Sequence, residues 1–229
     1  MKKYLFFTII LFFGLGCDQL GNVNPTQGLT NDEIIQGLKE ALNVGNGNAV
    51  TIANKIDGYF GNPLIKIPFP TEAEKIQTTL RSLGFGKLVD DAVLSLNRAA
   101  EDAAIKAKPI FINAITKLTI SDGLSILNGD TVAATNYLHS KTFTDLKVAF
   151  KPDIQTSLDK VNATKYWGDV VSQYNKIPFV TPVNTDLSEY VTGKALEGLF
   201  FLVSKEEGKI RRDPVARVTD ILRKVFGKN

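Results

Sequence analysis

Apolar residues follow two different rhythms along this chain. Residues 4–15 form one apolar stretch rich in Leu, Phe and Ile; Lys2 and Lys3 precede it, and Gly16 and Cys17 close it. From Thr30 onward, apolar positions instead recur three and four residues apart, the spacing of one face of an α-helix. Thr30 with Glu33 reads as a capping box ahead of Ile34, Leu38 and Leu42. A break is expected at Gly45 to Asn48, followed by a short helix over Ala49 to Ile56. The segment Asn62 to Pro70, NPLIKIPFP, has three prolines and cannot be helical. Its apolar content predicts a loop packed over the core. Thr71 with Glu74 caps the next predicted helix, and the longest pattern runs from Lys87 to about Leu118, with Pro109 as a kink. Helices are further predicted over Ser121 to Leu127, Thr131 to His139, Thr144 to Lys160, Thr164 to Lys176 and Asp186 to Arg212. A terminal helix is expected with Asp213 as N-cap, Pro214 at its first position and Gly227 past its end. Sustained period-two alternation is missing, so the predicted fold class is all-α, a single multi-helix bundle over residues 30–229.

The first apolar stretch is too short for a membrane span, which needs about 18 or more such residues. With its basic start it reads as a secretory signal peptide over residues 1–16. Cys17 is the only cysteine, which precludes an internal disulfide. A lone exported thiol behind small residues resembles the acylated cysteine of bacterial lipoproteins; the plainer alternative is an ordinary cleaved leader and a free thiol. Residues 17–29, rich in Asn, Gln, Gly and Pro, read as a flexible tether. The expected location is thus the bacterial cell envelope, periplasm-facing or at the outer membrane, with the N-terminal lipid holding the protein to the bilayer.

Charge changes the picture little. The leader carries two of the 27 basic residues and none of the 24 acidic ones, leaving 25 against 24. A nucleic-acid partner would demand a concentrated basic surface. Only a short cluster near the C-terminus, Lys209, Arg211, Arg212, Arg217, Arg223 and Lys224, is basic, so no nucleic-acid binding is expected.

Six segments carry a family resemblance: IKIPFP at Ile65 to Pro70, LNRAAEDAA at Leu96 to Ala104, LNGD at Leu127 to Asp130, TKYW at Thr164 to Trp167, KALEGLF at Lys194 to Phe200 and DPVARVTDIL at Asp213 to Leu222. Through them the chain resembles an uncharacterised family of bacterial exported lipoproteins, domain-of-unknown-function family 4197. The resemblance implies a helical envelope domain and brings no catalytic residue with it.

Candidate chemistry concentrates on the long helix. At about 100° per residue, Val89, Ala92, Leu96, Ala99, Ala100 and Ala103 share a broad apolar face. Opposite lie two polar ridges, Asp90, Asn97 and Glu101 on one and Asp91, Arg98 and Asp102 on the other. Leu94 and Ile105 project between them, a sign that this side is covered, in which case its charges must be paired. Arg98 with Asp102 is the expected local pair, and Arg217 and Asp220 are candidate partners from the terminal helix. The alternatives are a polar pocket and a structural ion-pair network. Tyr166 and Trp167 could line a ligand groove or belong to the core. His139, the only histidine, has no second His or HExxH spacing beside it, so neither a metal nor a cofactor is expected. A GxSxG elbow and a P-loop are both missing. The leading expectation is a non-enzymatic module that binds an envelope protein or an amphiphilic ligand. The alternatives are an envelope hydrolase or lyase using buried carboxylates, Glu101 and Asp102, with Arg98, and a purely structural role in envelope integrity.

Overall fold

The computed structural model describes residues 28–70, 73–180 and 186–227. Eight α-helices are found among them: α1 (Asn31–Ala53), α2 (Glu74–Ser82), α3 (Gly86–Thr116), α4 (Ile120–Leu127), α5 (Ala133–Lys160), α6 (Ala163–Asn175), α7 (Leu187–Arg212) and α8 (Asp220–Phe226). The described residues contain no strand, so the domain is all-α. The leader and Cys17 lie outside the described residues, as does Thr71, and of the tether only Gly28 and Leu29 fall within them.

The capping box forms as expected: Thr30 accepts the Glu33 N–H, and Glu33 accepts the Thr30 N–H. The expected break at Gly45 to Asn48 does not occur. α1 continues through it to Ala53 because Gly45 and Asn46 are buried. A side chain at Gly45 would stand 3.3 Å from the Cβ of Glu206, so the glycine serves a close approach to α7 and not a turn. The two helices expected over Thr131 to His139 and Thr144 to Lys160 are one, α5. Neither Pro109 nor Pro152 ends its helix. Proline frees the carbonyl four residues before it, and here those residues, Ile105 and Val148, are exposed, so water can take up the freed group.

The C-terminal helix also differs from expectation. Asp213 caps only a 3-10 turn, Pro214–Ala216, and α8 starts later behind Thr219, whose hydroxyl accepts the Leu222 N–H. In between, the Arg217 guanidinium donates to the carbonyls of Ile210 and Arg211 at the end of α7. Those bonds satisfy carbonyls that a helix end leaves free.

α3 lies at the centre, packed on α1, α5 and α6. Its buried alanines, Ala92, Ala99, Ala100, Ala103, Ala104 and Ala107, allow that close approach. α7 packs along α1 and α5 with Leu199, Phe200, Leu202 and Val203 buried, so its apolar centre is core as expected. The proline loop also packs inward, burying Ile65, Ile67 and Phe69. α4 turns 104° away from α3 and lies on the first half of α1, where Gly123 leaves room for Ile35 and Leu38. No single helix among the described residues is long and apolar enough to cross a membrane.

Candidate functional site

α1 ends at Ala53, and the chain must then turn back over the bundle. Asp57 takes the left-handed conformation, φ 63°, within that turn. The turn leaves the N–H groups of Tyr59 and Phe60 pointing at α3, where both donate to Glu101 Oε1 at 3.1 Å. The other carboxylate oxygen accepts from Arg98 at 2.5 Å, and Arg98 also bonds Asp57 at 2.7 Å. One turn earlier on α3, the fully buried Asn97 grips the proline loop: its Oδ1 accepts the Ile67 N–H and its Nδ2 donates to the Ile67 carbonyl, both at 2.8 Å. Asn54 adds a bond to the Glu101 carbonyl at 2.7 Å, and the buried Tyr59 hydroxyl donates to the Ala195 carbonyl of α7 at 2.7 Å.

A buried carboxylate is strongly penalised unless partners replace its hydration. Two backbone N–H groups and a guanidinium do so here for Glu101, which is 4% exposed. The bond to Glu101 holds the Arg98 guanidinium above its usual range, so it stays charged. Lys66 lies over the Phe60 ring at 4.0 Å and Arg98 reaches the same ring at 5.8 Å. Arg98 and Asp102 do not pair. Asp102 instead accepts from Ser157 at 2.9 Å and pairs with Lys160, both on α5. Burial alone would raise the Asp102 carboxyl, but those two donors outweigh it and hold it below the ordinary range.

Beside this network is a cavity of about 540 Å³ between the α1 turn, α3 and α6, walled by Leu94, Arg98, Asp102, Val161 and Tyr166. Every charged side chain on its wall is already paired, including Lys87 with Asp91 at 2.6 Å. Of the two candidate aromatics, Tyr166 lines the cavity, whereas Trp167 is buried against Phe69 at 5.1 Å. Arg217 and Asp220 are not brought to α3: the first ends α7 and the second pairs with Arg223. His139 is half-buried between Phe143 and Phe200. Among the described residues no group of three His, Cys, Asp or Glu is placed to hold a metal ion.

A family model described as "Protein of unknown function (DUF4197)" matches residues 28–227, nearly the whole described domain. The chain belongs to the DUF4197 family. Comparison with curated proteins and with solved structures gives no match.

Sequence reasoning about this DUF4197 chain missed a second buried carboxylate, Glu207. It accepts the Ala134 and Thr135 N–H groups at 3.0 and 2.8 Å, capping α5 from another helix, and pairs with Arg211 at 2.9 Å. An acidic residue four before an arginine was the available signal; its partners on α5 were not visible. Asn46 is also buried, with neither side-chain atom hydrogen-bonded.

Proposed function

We propose that this DUF4197 protein is a lipid-anchored binding module of the bacterial cell envelope, acylated at Cys17. Residues 17–29 link the anchor to the helical domain, which engages an envelope protein or an amphiphilic ligand without turning it over. The observation that carries the non-catalytic reading is the commitment of Glu101. Both its oxygens are engaged by the loop backbone and Arg98, and the other charged groups of the same cavity are paired. A general acid near neutral pH needs a carboxyl that can take and release a proton at the reacting atom. Glu101 serves instead as the acceptor that orders the chain after α1.

Metabolic labelling with an alkyne fatty acid tests the anchor. The wild-type protein is expected to carry the label in the membrane fraction and Cys17→Ala to lose it. An unlabelled wild-type protein recovered in the cytosol contradicts the reading. Glu101→Gln separates binding module from hydrolase: a marked fall in melting temperature is expected here, whereas a catalytic carboxylate would lose activity with stability nearly intact.

A further inference from the structure

Hydrogen bonds between helices fix which residues lie level with one another. Lys39 of α1 donates to the Thr116 carbonyl of α3 at 2.8 Å, and Asn54 donates to the Glu101 carbonyl at 2.7 Å. The two helices run in opposite directions, so each step forward on α1 matches a step back on α3. Counted from either bond, Asn46 lies level with Pro109. Asn46 follows Lys39 by about two helical turns and so shares its face of α1, the one towards α3. On the other side of α3, Ser157 of α5 bonds Asp102 at 2.9 Å. The same antiparallel count puts Phe150 level with Pro109, and Pro152 within about 3 Å of that level along the axis.

Each of these three helices is weak at this level, and for its own reason. α3 and α5 carry a proline there, which leaves the carbonyls of Ile105 and Val148 without a helical partner. α1 carries Gly45, Asn46, Gly47 and Asn48, all poor helix formers. Packing accounts for Gly45 but not for the rest: a Cβ added at Gly47 would meet nothing within 4 Å, and Asn46 is buried with neither side-chain atom hydrogen-bonded. α7 crosses the same level, where Glu206 meets Gly45, with neither glycine nor proline from Leu199 to Glu207.

A second cavity, of about 730 Å³, lies between α3 and α5 and is closed at one end by the start of α4; Ile110, Ala114 and Lys117 wall it on one side and Tyr137, Lys141 and Ala149 on the other. Its volume is that of a small-molecule site. The whole lining falls on one side of the weak level: on α3 it begins at Ile110, next to Pro109, and on α5 it ends at Ala149, three residues before Pro152. From this alignment we infer that the bundle carries a hinge at one level: α3 bends at Pro109 and α5 at Pro152, α1 gives way between Gly45 and Asn48, and the α3–α5 groove opens and closes while α7 stays straight. A few such positions in otherwise rigid elements are enough to absorb a bend. Bending strands neither freed carbonyl, because Ile105 and Val148 are exposed and water reaches that side of each helix. The hinge governs entry to the groove and stands whether or not Cys17 is acylated.

Dipolar EPR on nitroxide-labelled full-length chains tests the hinge. In the Cys17→Ala background, Asn113→Cys with Asp145→Cys puts one label on each rim of the groove, both at exposed positions. Lys55→Cys with Lys165→Cys, also exposed, puts both labels on the other side of the weak level. The groove pair is expected to give two distances or one broad distribution, and the second pair a single narrow one. Gly47→Ala with Pro109→Ala and Pro152→Ala places a good helix former at all three weak points. That triple variant is expected to narrow the groove pair to a single distance and to raise the melting temperature. A groove pair as narrow as the second pair overturns the hinge, and so does a groove distribution unchanged in the folded triple variant. Should the triple variant fail to fold, the comparison of the two label pairs without it decides alone.

Discussion

α3 carries polar residues against two cavities, and it treats them in opposite ways. At its first half, Asn97, Arg98, Glu101 and Asp102 are turned into the protein's own backbone and side chains, and the cavity beside them is lined by paired charges. Just past its end, Lys117 and the facing Lys141 of α5 line a groove without a close ion pair, Lys141 acting on Asp122 only at longer range. A charge with partners within the fold contributes to stability, and removing one partner leaves the other uncompensated. A charge kept without partners contributes little to the fold and is available to a ligand. The comparison thus separates residues that build this domain from residues that can act for it, although both sets look alike in sequence.

Substitutions that unpair the first cavity should have the largest effect. Glu101→Ala leaves Arg98 with Asp57 alone, strands two loop N–H groups and is expected to lower stability by about 3–5 kcal/mol, the loss typical of breaking a buried pair, read by urea denaturation. Asn97→Ala leaves both backbone groups of Ile67 without partners and is expected to cost roughly 2–4 kcal/mol. Gly198→Ala sharpens the picture from the α7 side. Its Cβ would stand 2.8 Å from the Tyr59 ring and 3.2 Å from Ile65, and overpacking of that kind is expected to cost about 1–3 kcal/mol. Smaller effects come from pH. The Thr119 and Tyr137 hydroxyls hold Asp122 below the ordinary range, and Asp102 is held low as well. A depressed folded pKa contributes fully above the unfolded value of about 4 and is lost as pH falls through the folded one. Melting temperature is therefore expected to be flat from neutrality to about pH 5 and to fall below about pH 4. The smallest stability change belongs to Lys117→Gln with Lys141→Gln, within about 0.5 kcal/mol as at other exposed sites. A large loss there would erase the contrast between the two cavities.

Local signals in the chain were read well where the physics is local. The capping box at Thr30 depends on four consecutive residues, and the proline loop could not be helical whatever surrounded it. That α3's polar side is covered holds around Leu94, Asn97 and Glu101 only, since Ile105, the other apolar residue between the ridges, and Asp90 are exposed. The identity of the cover was not legible, because Glu101 is met by backbone N–H groups of Tyr59 and Phe60, which every non-proline residue possesses. Gly45 misled for the same reason: a glycine that breaks a helix and a glycine that admits a neighbouring helix look identical until Glu206 is placed beside it. At the C-terminus both Asp213 and Thr219 can cap, and the choice follows from Arg217 closing α7. The α3–α5 groove left no trace because its residues come from three helices and are individually ordinary.

Hydrogen exchange tests most directly whether α3 holds the chain after α1. The amide protons of Tyr59, Phe60 and Ile67 are expected to be strongly protected in the wild-type protein. Glu101→Ala should release the first two and Asn97→Ala the third, each at otherwise intact helicity. Wild-type exchange of these three amides at the rate of an unstructured loop would contradict the account.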